Sequence, residues 1–281
     1  MAGTDDAVDE DALYVLTALL LTPAQYPSVL GDDYPAACAA LGLTPYAEGY
    51  GLVLGQDSGG ARWTVVVDDV SLVAVAIASW DCGMDYDLSP GESSVVSALP
   101  GWPLAVAVAA PGVPEPHDPE PEEGDRAPLT PPDTTVWGPA QRRLGADEIA
   151  LQWAEWRQQI DDADLASADT PEGGEPEGDK PEGGRREGGK HEGHEGVQRA
   201  LKEARGYVDS APPVGRVRSS FAPGGARTLR ADGPGWSMVA RTDDIAFVLL
   251  DEEPCEVIPV GRGARLPTLL EALDKMAVRP S

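Results

Sequence analysis

From Pro111 to Gly196 the chain carries little that a hydrophobic core could use. PGVPEPHDPEPEEGDRAPLTPPD opens this stretch and TPEGGEPEGDKPEGGRREGGKHEGHEG (170–196) closes it, both built of Pro, Gly and charged residues without apolar periodicity. Such segments bury too little apolar surface to offset the entropy of ordering them. Gly (32) and Pro (27) make 59 of the 281 residues, much of it here. The foldable part is therefore roughly two hundred residues, enough for one domain or two small ones.

The division predicts an α+β chain: two small mixed α/β lobes joined by a long Pro/Gly/Glu-rich disordered linker that carries one amphipathic helix. Residues 1–11 read as an acidic tail, 12–112 as an acidic N-terminal lobe and 113–138 as a disordered Pro/acidic linker. Residues 139–166 read as the linker helix, 167–196 as a disordered low-complexity segment, and 197–281 as a C-terminal lobe of helix, β-meander and helix.

Within the first lobe, ALYVLTALLL (12–21) is a strand or a short helix, since so short an apolar run has no deciding period. TPAQ (22–25) reads as a helix start and DDYPAACAALG (32–42) as a helix with Asp caps and a terminal Gly. YGLVLGQ and ARWTVVVD flank DSGG as a β-hairpin. VSLVAVAIAS, from residue 70, is apolar and β-branched and reads as a central strand. SPGESSVVSALPG (89–101) reads as a short helix, with Ser89 and Glu92 as a capping box and Pro90 at the first helical position. PLAVAVAA (103–110) reads as a further strand. In the last lobe VQRALKEARGYV reads as an amphipathic helix, and ARTLRA, GWSMVAR, DDIAFVLLD and EVIPV as successive strands. LPTLLEALDKMA closes it as a helix, with Leu266, Leu269, Leu270, Leu273 and Met276 at helical spacing.

The net charge is −27, and it is unevenly spread. Residues 1–112 hold 15 acidic residues against one basic, Arg62, while 196–281 hold 12 basic against 11 acidic. The first lobe should repel nucleic acid and anionic lipid, which require a positive field. Its acidity either keeps the chain soluble or makes a surface for a basic partner, or one that mimics the charge of nucleic acid. Neither long apolar run reaches the length of a membrane span, and the first follows DDAVDED rather than a positive leader. Cys38, Cys82 and Cys255 are odd in number and widely spaced, which points to a reducing cytoplasm.

Candidate chemistry is sparse. DCGMDYDLSPGE (81–92) places Asp81, Asp85, Asp87, Ser89 and Glu92 at five ligand positions of a calcium loop, which offers Asp81, Asp85, Asp87 and Glu92 as metal ligands. Gly83 and Tyr86 break that pattern, and capping would occupy Ser89 and Glu92. DSGG (57–60) has no positioned histidine, because His117, His191 and His194 all fall in linker composition. Arg216, Arg218, Arg227 and Arg230 cluster around Gly224 and Gly225 as an anion-binding loop, without a Walker lysine or GxGxxG. Ile149, Trp153, Trp156 and Ile160 stand at spacings of four, three and four on one helix face. That stripe docks either on the chain's own lobes or in a partner's groove.

Taken together, these features predict a cytoplasmic, non-catalytic acidic interaction module, such as an adaptor, regulator or immunity-like protein. The Trp-bearing helix is its tethered docking element. No cofactor is implied. The expected partner is another protein, by charge a basic one, with no nucleic acid at the N-terminal lobe and no membrane. Two alternatives stand beside it: a divalent-metal enzyme using the Asp81–Glu92 cluster, and a sensor of small anions using the Arg216–Arg230 loop.

Overall fold

The computed structural model describes residues 13–121, 124, 126–160, 165–166 and 188–280. The tail 1–11 and the low-complexity residues 167–187 lie outside the described residues. The described chain is mixed α+β, with two antiparallel sheets and six α-helices. It divides into two compact units: Met1–Leu30 with Tyr34–Pro132, and Gly31–Asp33 with Asp133–Ser281.

The first unit is built on a four-stranded sheet of β1 (Tyr14–Leu21), β2 (Tyr50–Gln56), β3 (Arg62–Val67) and β4 (Val95–Pro100), in that spatial order. The β2–β3 hairpin forms around DSGG as expected. Asp57 Oδ1 closes the turn by accepting from the amides of Gly59 and Ala61, both at 2.9 Å. Both faces of the sheet carry apolar side chains. Leu21, Leu52, Leu54, Val66 and Leu99 face one core; Ala18, Val53, Val65 and Val67 face the other. A bulge in β1 between Val15 and Thr17 shifts the alternation of faces. Through it Ala18 and Leu20 join Val15 on one face, while Leu16, Leu19 and Leu21 share the other.

Each face needs its own cover. Helix α1 (Tyr34–Ala40) supplies Tyr34, Ala37 and Cys38 to the first core. The second is covered by α2 (Val70–Asp81), which buries Val73 and Ala76. This corrects the reading of VSLVAVAIAS as a strand. Asp69 caps the helix by accepting from the Leu72 amide at 2.9 Å, and Gly83 follows the C-terminus with φ 72°. The helix approaches β2 so closely that a Cβ on Gly51 would stand 2.4 Å from Val73 Cγ2.

Other local expectations also change. SPGESSVVSALPG is a 3-10 turn (Glu92–Ser94) followed by β4, because Leu99 is drawn into the core as β4 pairs with β3. The capping box does not form; Ser89 instead donates to Asp87 Oδ1 at 2.7 Å. TPAQ is a turn closed by Thr22 and Gln25, not a helix start. PLAVAVAA joins no ladder, and the Pro-rich stretch after it is not free of contacts. The fully buried Gln56 side chain accepts from Ala110 N at 2.7 Å and donates to the carbonyls of Gly60 and Pro114, both at 3.2 Å. The Arg62 amide donates to His117 O at 2.8 Å, and the Leu129 amide to Pro100 O at 2.7 Å.

The second unit is a five-stranded meander of β5 (Val217–Phe221), β6 (Arg227–Gly233), β7 (Trp236–Arg241), β8 (Ala246–Leu250) and β9 (Ile258–Val260). Helices α5 (Gly188–Asp209) and α6 (Leu266–Met276) pack on one face, with Val197, Leu201, Leu266 and Leu270 against Met238 and Val248. Helix α5 begins before the expected residue 197. At Gly196 the helix runs close to the sheet, and a Cβ there would lie 2.4 Å from Leu250 Cδ1, so that side chain would have to shift. The other face carries α3 (Pro139–Leu151) and α4 (Trp153–Gln158), two helices separated at Gln152 (φ −109°, ψ 35°) rather than the single one expected.

Two outcomes are expected from these contacts. Gly51→Ala should destabilise the first unit by about 1–3 kcal/mol through overpacking. Val73→Ala added to it should show a favourable coupling in a double-mutant cycle of urea unfolding. His117 directs both ring nitrogens at carbonyl oxygens, Asp118 at 2.9 Å and Gly59 at 3.1 Å. A carbonyl only accepts, so both bonds exist only in the imidazolium. These bonds, with nearby Asp57 adding and Arg62 opposing, raise the imidazole above its ordinary range. A raised folded-state value means the contribution is complete at low pH and lost as pH rises through that value. Amide exchange at Arg62 and His117, corrected for intrinsic rates, should be better protected at about pH 5.5 than at about pH 8.5. His117→Gln should remove the difference.

Candidate functional site

The residues expected to form sites divide into buried and exposed groups. On the α3 side of the meander, Asp232 is fully buried and gathers cations. Arg142 (3.8 Å), Arg218 (3.3 Å) and Arg230 (3.1 Å) all reach its carboxylate, and Ser237 donates to it. Arg142 is itself fully buried and donates through Nε to Asp251 at 2.7 Å and through Nη2 to Asp32 at 3.0 Å. Arg230 also pairs with Asp147 and donates to the Arg143 carbonyl at 3.1 Å. Burial alone would raise the Asp232 carboxyl; Arg230 first, then Arg218, Ser237 and Arg142, outweigh it and hold the carboxyl below the ordinary range. Burial likewise opposes the charge of Arg230, and Asp232 and Asp147 restore it.

The four arginines expected to bind an external anion already hold carboxylates of the chain. Arg218 and Arg230 face Asp232. Arg227 pairs with Asp274 at 3.0 Å, and Arg216 with Asp33, one of the residues 31–33 that group with this unit. Their sequence spacing is that of β5 and β6, where Arg218 stands opposite Arg230. The fork that suits a ligand carboxylate suits an internal one equally well.

The aromatic stripe also faces inward. Ile149 is fully buried and Trp153 is 7% exposed, packed with Val239, Phe247 and Leu249. The Trp153 ring meets Phe247 edge-on at 5.1 Å. Trp156 and Ile160 are partly buried against the same cluster. The face read as a partner-docking stripe is covered by the chain's own sheet, the first of the two arrangements its spacing allowed.

Asp81, Asp85, Asp87 and Glu92 are all exposed. Asp87 is engaged by Ser89, and among the described residues no group of three or more His, Cys, Asp or Glu side chains stands close enough to hold a metal ion. The calcium-loop spacing therefore does not become a ligand cage. The local reason is that Asp81 ends a helix while Asp85 and Asp87 lie in the irregular segment after it.

The histidine missing from DSGG in the sequence is brought to it by the fold, because His117 bonds Gly59 O. With both its nitrogens facing carbonyls it has no lone pair turned toward Ser58, and Asp57 is held by the turn amides and by Trp63 Nε1 at 3.1 Å. Cys38 is buried beside Tyr34, and burial pushes its thiol up, away from the reactive thiolate. A cleft of about 390 Å³ lies over Trp63, Ala98 and Pro100, walled by Pro119, Glu120 and Pro128. Arg126, also at the cleft, donates to Leu41 O at 2.5 Å.

What the sequence reading missed is the outward side of α2. From Val70 to Trp80 the helix carries no charged residue, yet only Val73 and Ala76 are buried. Val75 is 52% exposed, Ser71 and Ala78 are exposed, and Met84 beyond the C-terminus is 57% exposed. Exposed acids stand at both ends: Asp68 and Asp69 before the helix, Asp81, Asp85 and Asp87 at and after its close. No helix among the described residues is long and apolar enough to cross a membrane. The chain matches no protein-family model, and no curated protein or solved structure matches it significantly.

Asp232→Asn should lower the stability of the second unit by roughly 3–5 kcal/mol, since it leaves three arginines without their buried counter-charge. The wild-type carboxyl lies below its unfolded value of about 3.9, so its contribution is present above that pH and fades as pH falls through the folded value. Urea unfolding followed by circular dichroism between about pH 2 and pH 6 should show this acid dependence in the wild type and lose most of it in the variant.

Proposed function

We propose that the chain acts by binding: an acidic protein-interaction module, an adaptor, regulator or immunity-like protein of the cytoplasm, whose first unit receives a basic partner protein. The observation that carries this reading is the charge of that unit. Residues 1–30 and 34–132 hold nineteen acidic side chains against two basic, Arg62 and Arg126. Both arginines are committed internally. Arg62 pairs with Asp118 at 2.7 Å and lies over the Trp102 ring at 5.6 Å, and Arg126 bonds the Leu41 carbonyl. The negative field of the unit is thus relieved by no free arginine of its own. A one-signed field raises encounter rates with an oppositely charged partner and rejects nucleic acid and anionic lipid.

The test is affinity capture with the full chain from its native lysate, beside an Asp81→Asn/Asp85→Asn/Glu92→Gln variant of equal thermal stability. The expected result is a strongly basic protein held at low salt, released as salt rises and held more weakly by the variant. Captured proteins that are no more basic than the lysate average, or that ignore both salt and variant, would overturn the reading.

A further inference from the structure

We propose that the outward face of α2 is the seat of that partner, and that the partner presents a basic amphipathic helix. This rests on the reading of the first unit as a receptor for a basic protein and names the surface and the chemistry. A helix that is apolar on all sides is ordinarily buried on all sides. Helix α2 is uncharged and mainly apolar from Val70 to Trp80 but buries one side only, which leaves Val75 and Ala78 in water beside Ser71. The twelve-residue helix is about 18 Å long, and the small side chains Ser71, Ala74 and Ala78 let a second helix approach closely. Met84 extends the apolar surface past the C-terminal end, where its flexible thioether can adapt to a partner.

Charge selects the occupant. Asp81 closes α2 where the helix dipole is itself negative, so local helix stability does not favour an acid there. With Asp85 and Asp87 it makes one end of the apolar face acidic, and Asp68 and Asp69 make the other end acidic. A second copy of the chain would bring a first unit with nineteen acids and two bases against this rim. The chain's own residues 1–11 contain five acids and no base, and residues 170–187 contain no apolar side chain other than proline to lay on Val75. A helix with leucine-like residues at i, i+3, i+4 and i+7 and lysine or arginine on its flanks satisfies both the face and the rim.

The probe is a labelled 18-residue peptide of leucine and lysine patterned as an amphipathic helix. Its control has the same composition, scrambled so that the leucines share no face. Both are titrated with the full chain by fluorescence anisotropy at several salt concentrations. Val75→Glu adds an attractive charge while removing apolar contact, and Val108→Glu, at another exposed valine of the unit, adds the same charge elsewhere. Circular dichroism confirms that both variants fold. The expected result is that the patterned peptide binds roughly tenfold or more tightly than the scrambled one. Val75→Glu weakens it about tenfold in spite of the added charge, and Val108→Glu does not. Equal binding of the two peptides, unaffected by Val75→Glu, would mean that charge alone attracts them. That overturns the docking face and leaves the basic-partner reading standing. Binding of neither peptide at low salt overturns both. A wild-type dimer in sedimentation that Val75→Glu dissociates assigns the face to a second copy and overturns the proposed occupant.

Discussion

A four-stranded sheet with apolar residues on both faces cannot stand with either face in water, and the first unit is arranged around that requirement. Edge strand β1 sets it, because YVLTALLL has no polar face to offer. The bulge at Val15–Thr17 lets both sets of leucines find a core. One face is met by α1 and Trp102, whose indole N–H donates to Gly55 O at 3.0 Å. The other is met by α2. A cover for an apolar sheet must itself be apolar on its inner side. Close contact with β2 is possible only because Gly51 leaves room for Val73.

The second unit solves the same geometric problem with a different filling. The α5 and α6 side of its meander is mainly apolar, with Asp274 and Glu203 taking polar contacts from the sheet, whereas the α3 side holds apolar contacts around Ile149 and Phe247 and a charged inlay around Asp232. Replacing such an inlay by well-packed hydrophobic residues often stabilises a protein, while breaking it by removing one partner is severe. The buried Arg142 of α3 is met by Asp232, Asp251 and Asp32 together, so its charge is balanced from both the sheet and residues 31–33.

Much of this was legible in the sequence where a local signal and a long-range demand agree. DSGG between two apolar runs gave the hairpin, and the leucine spacing from Leu266 to Leu273 gave α6 with its buried face. The spacing of Ile149 and Trp153 identified a buried face but not what buries it, since no local pattern names a distant Phe247. The reading failed at α2, where β-branched content suggested a strand. The length of the run, eleven residues to Trp80, with Asp69 in front and Gly83 behind, is helical punctuation that outweighs composition. Residues 103–118 failed for a different reason. Their order comes from the Gln56 amide and from His117, single polar contacts across more than fifty residues that neither composition nor periodicity encodes.

The misreading of α2 has a cause that bears on function. A sequence reading assigns apolar residues to a core and acidic residues to solvent, and at α2 both assignments cover only half of the facts. The inner half of the helix serves the sheet: Val73 and Ala76 are buried there, with Leu72, Ile77 and Trp80 packed beside them. The outer half carries Ser71, Val75 and Ala78 and no charge, while the acids are held off to the ends. Folding of the unit requires neither the outward valine nor an aspartate at the negative end of the helix dipole. Apolar surface kept in water costs about 25 cal/mol per Å² relative to burial. An encounter of the kind proposed, with a partner charged to match the rim, would remove that surface from water and recover it.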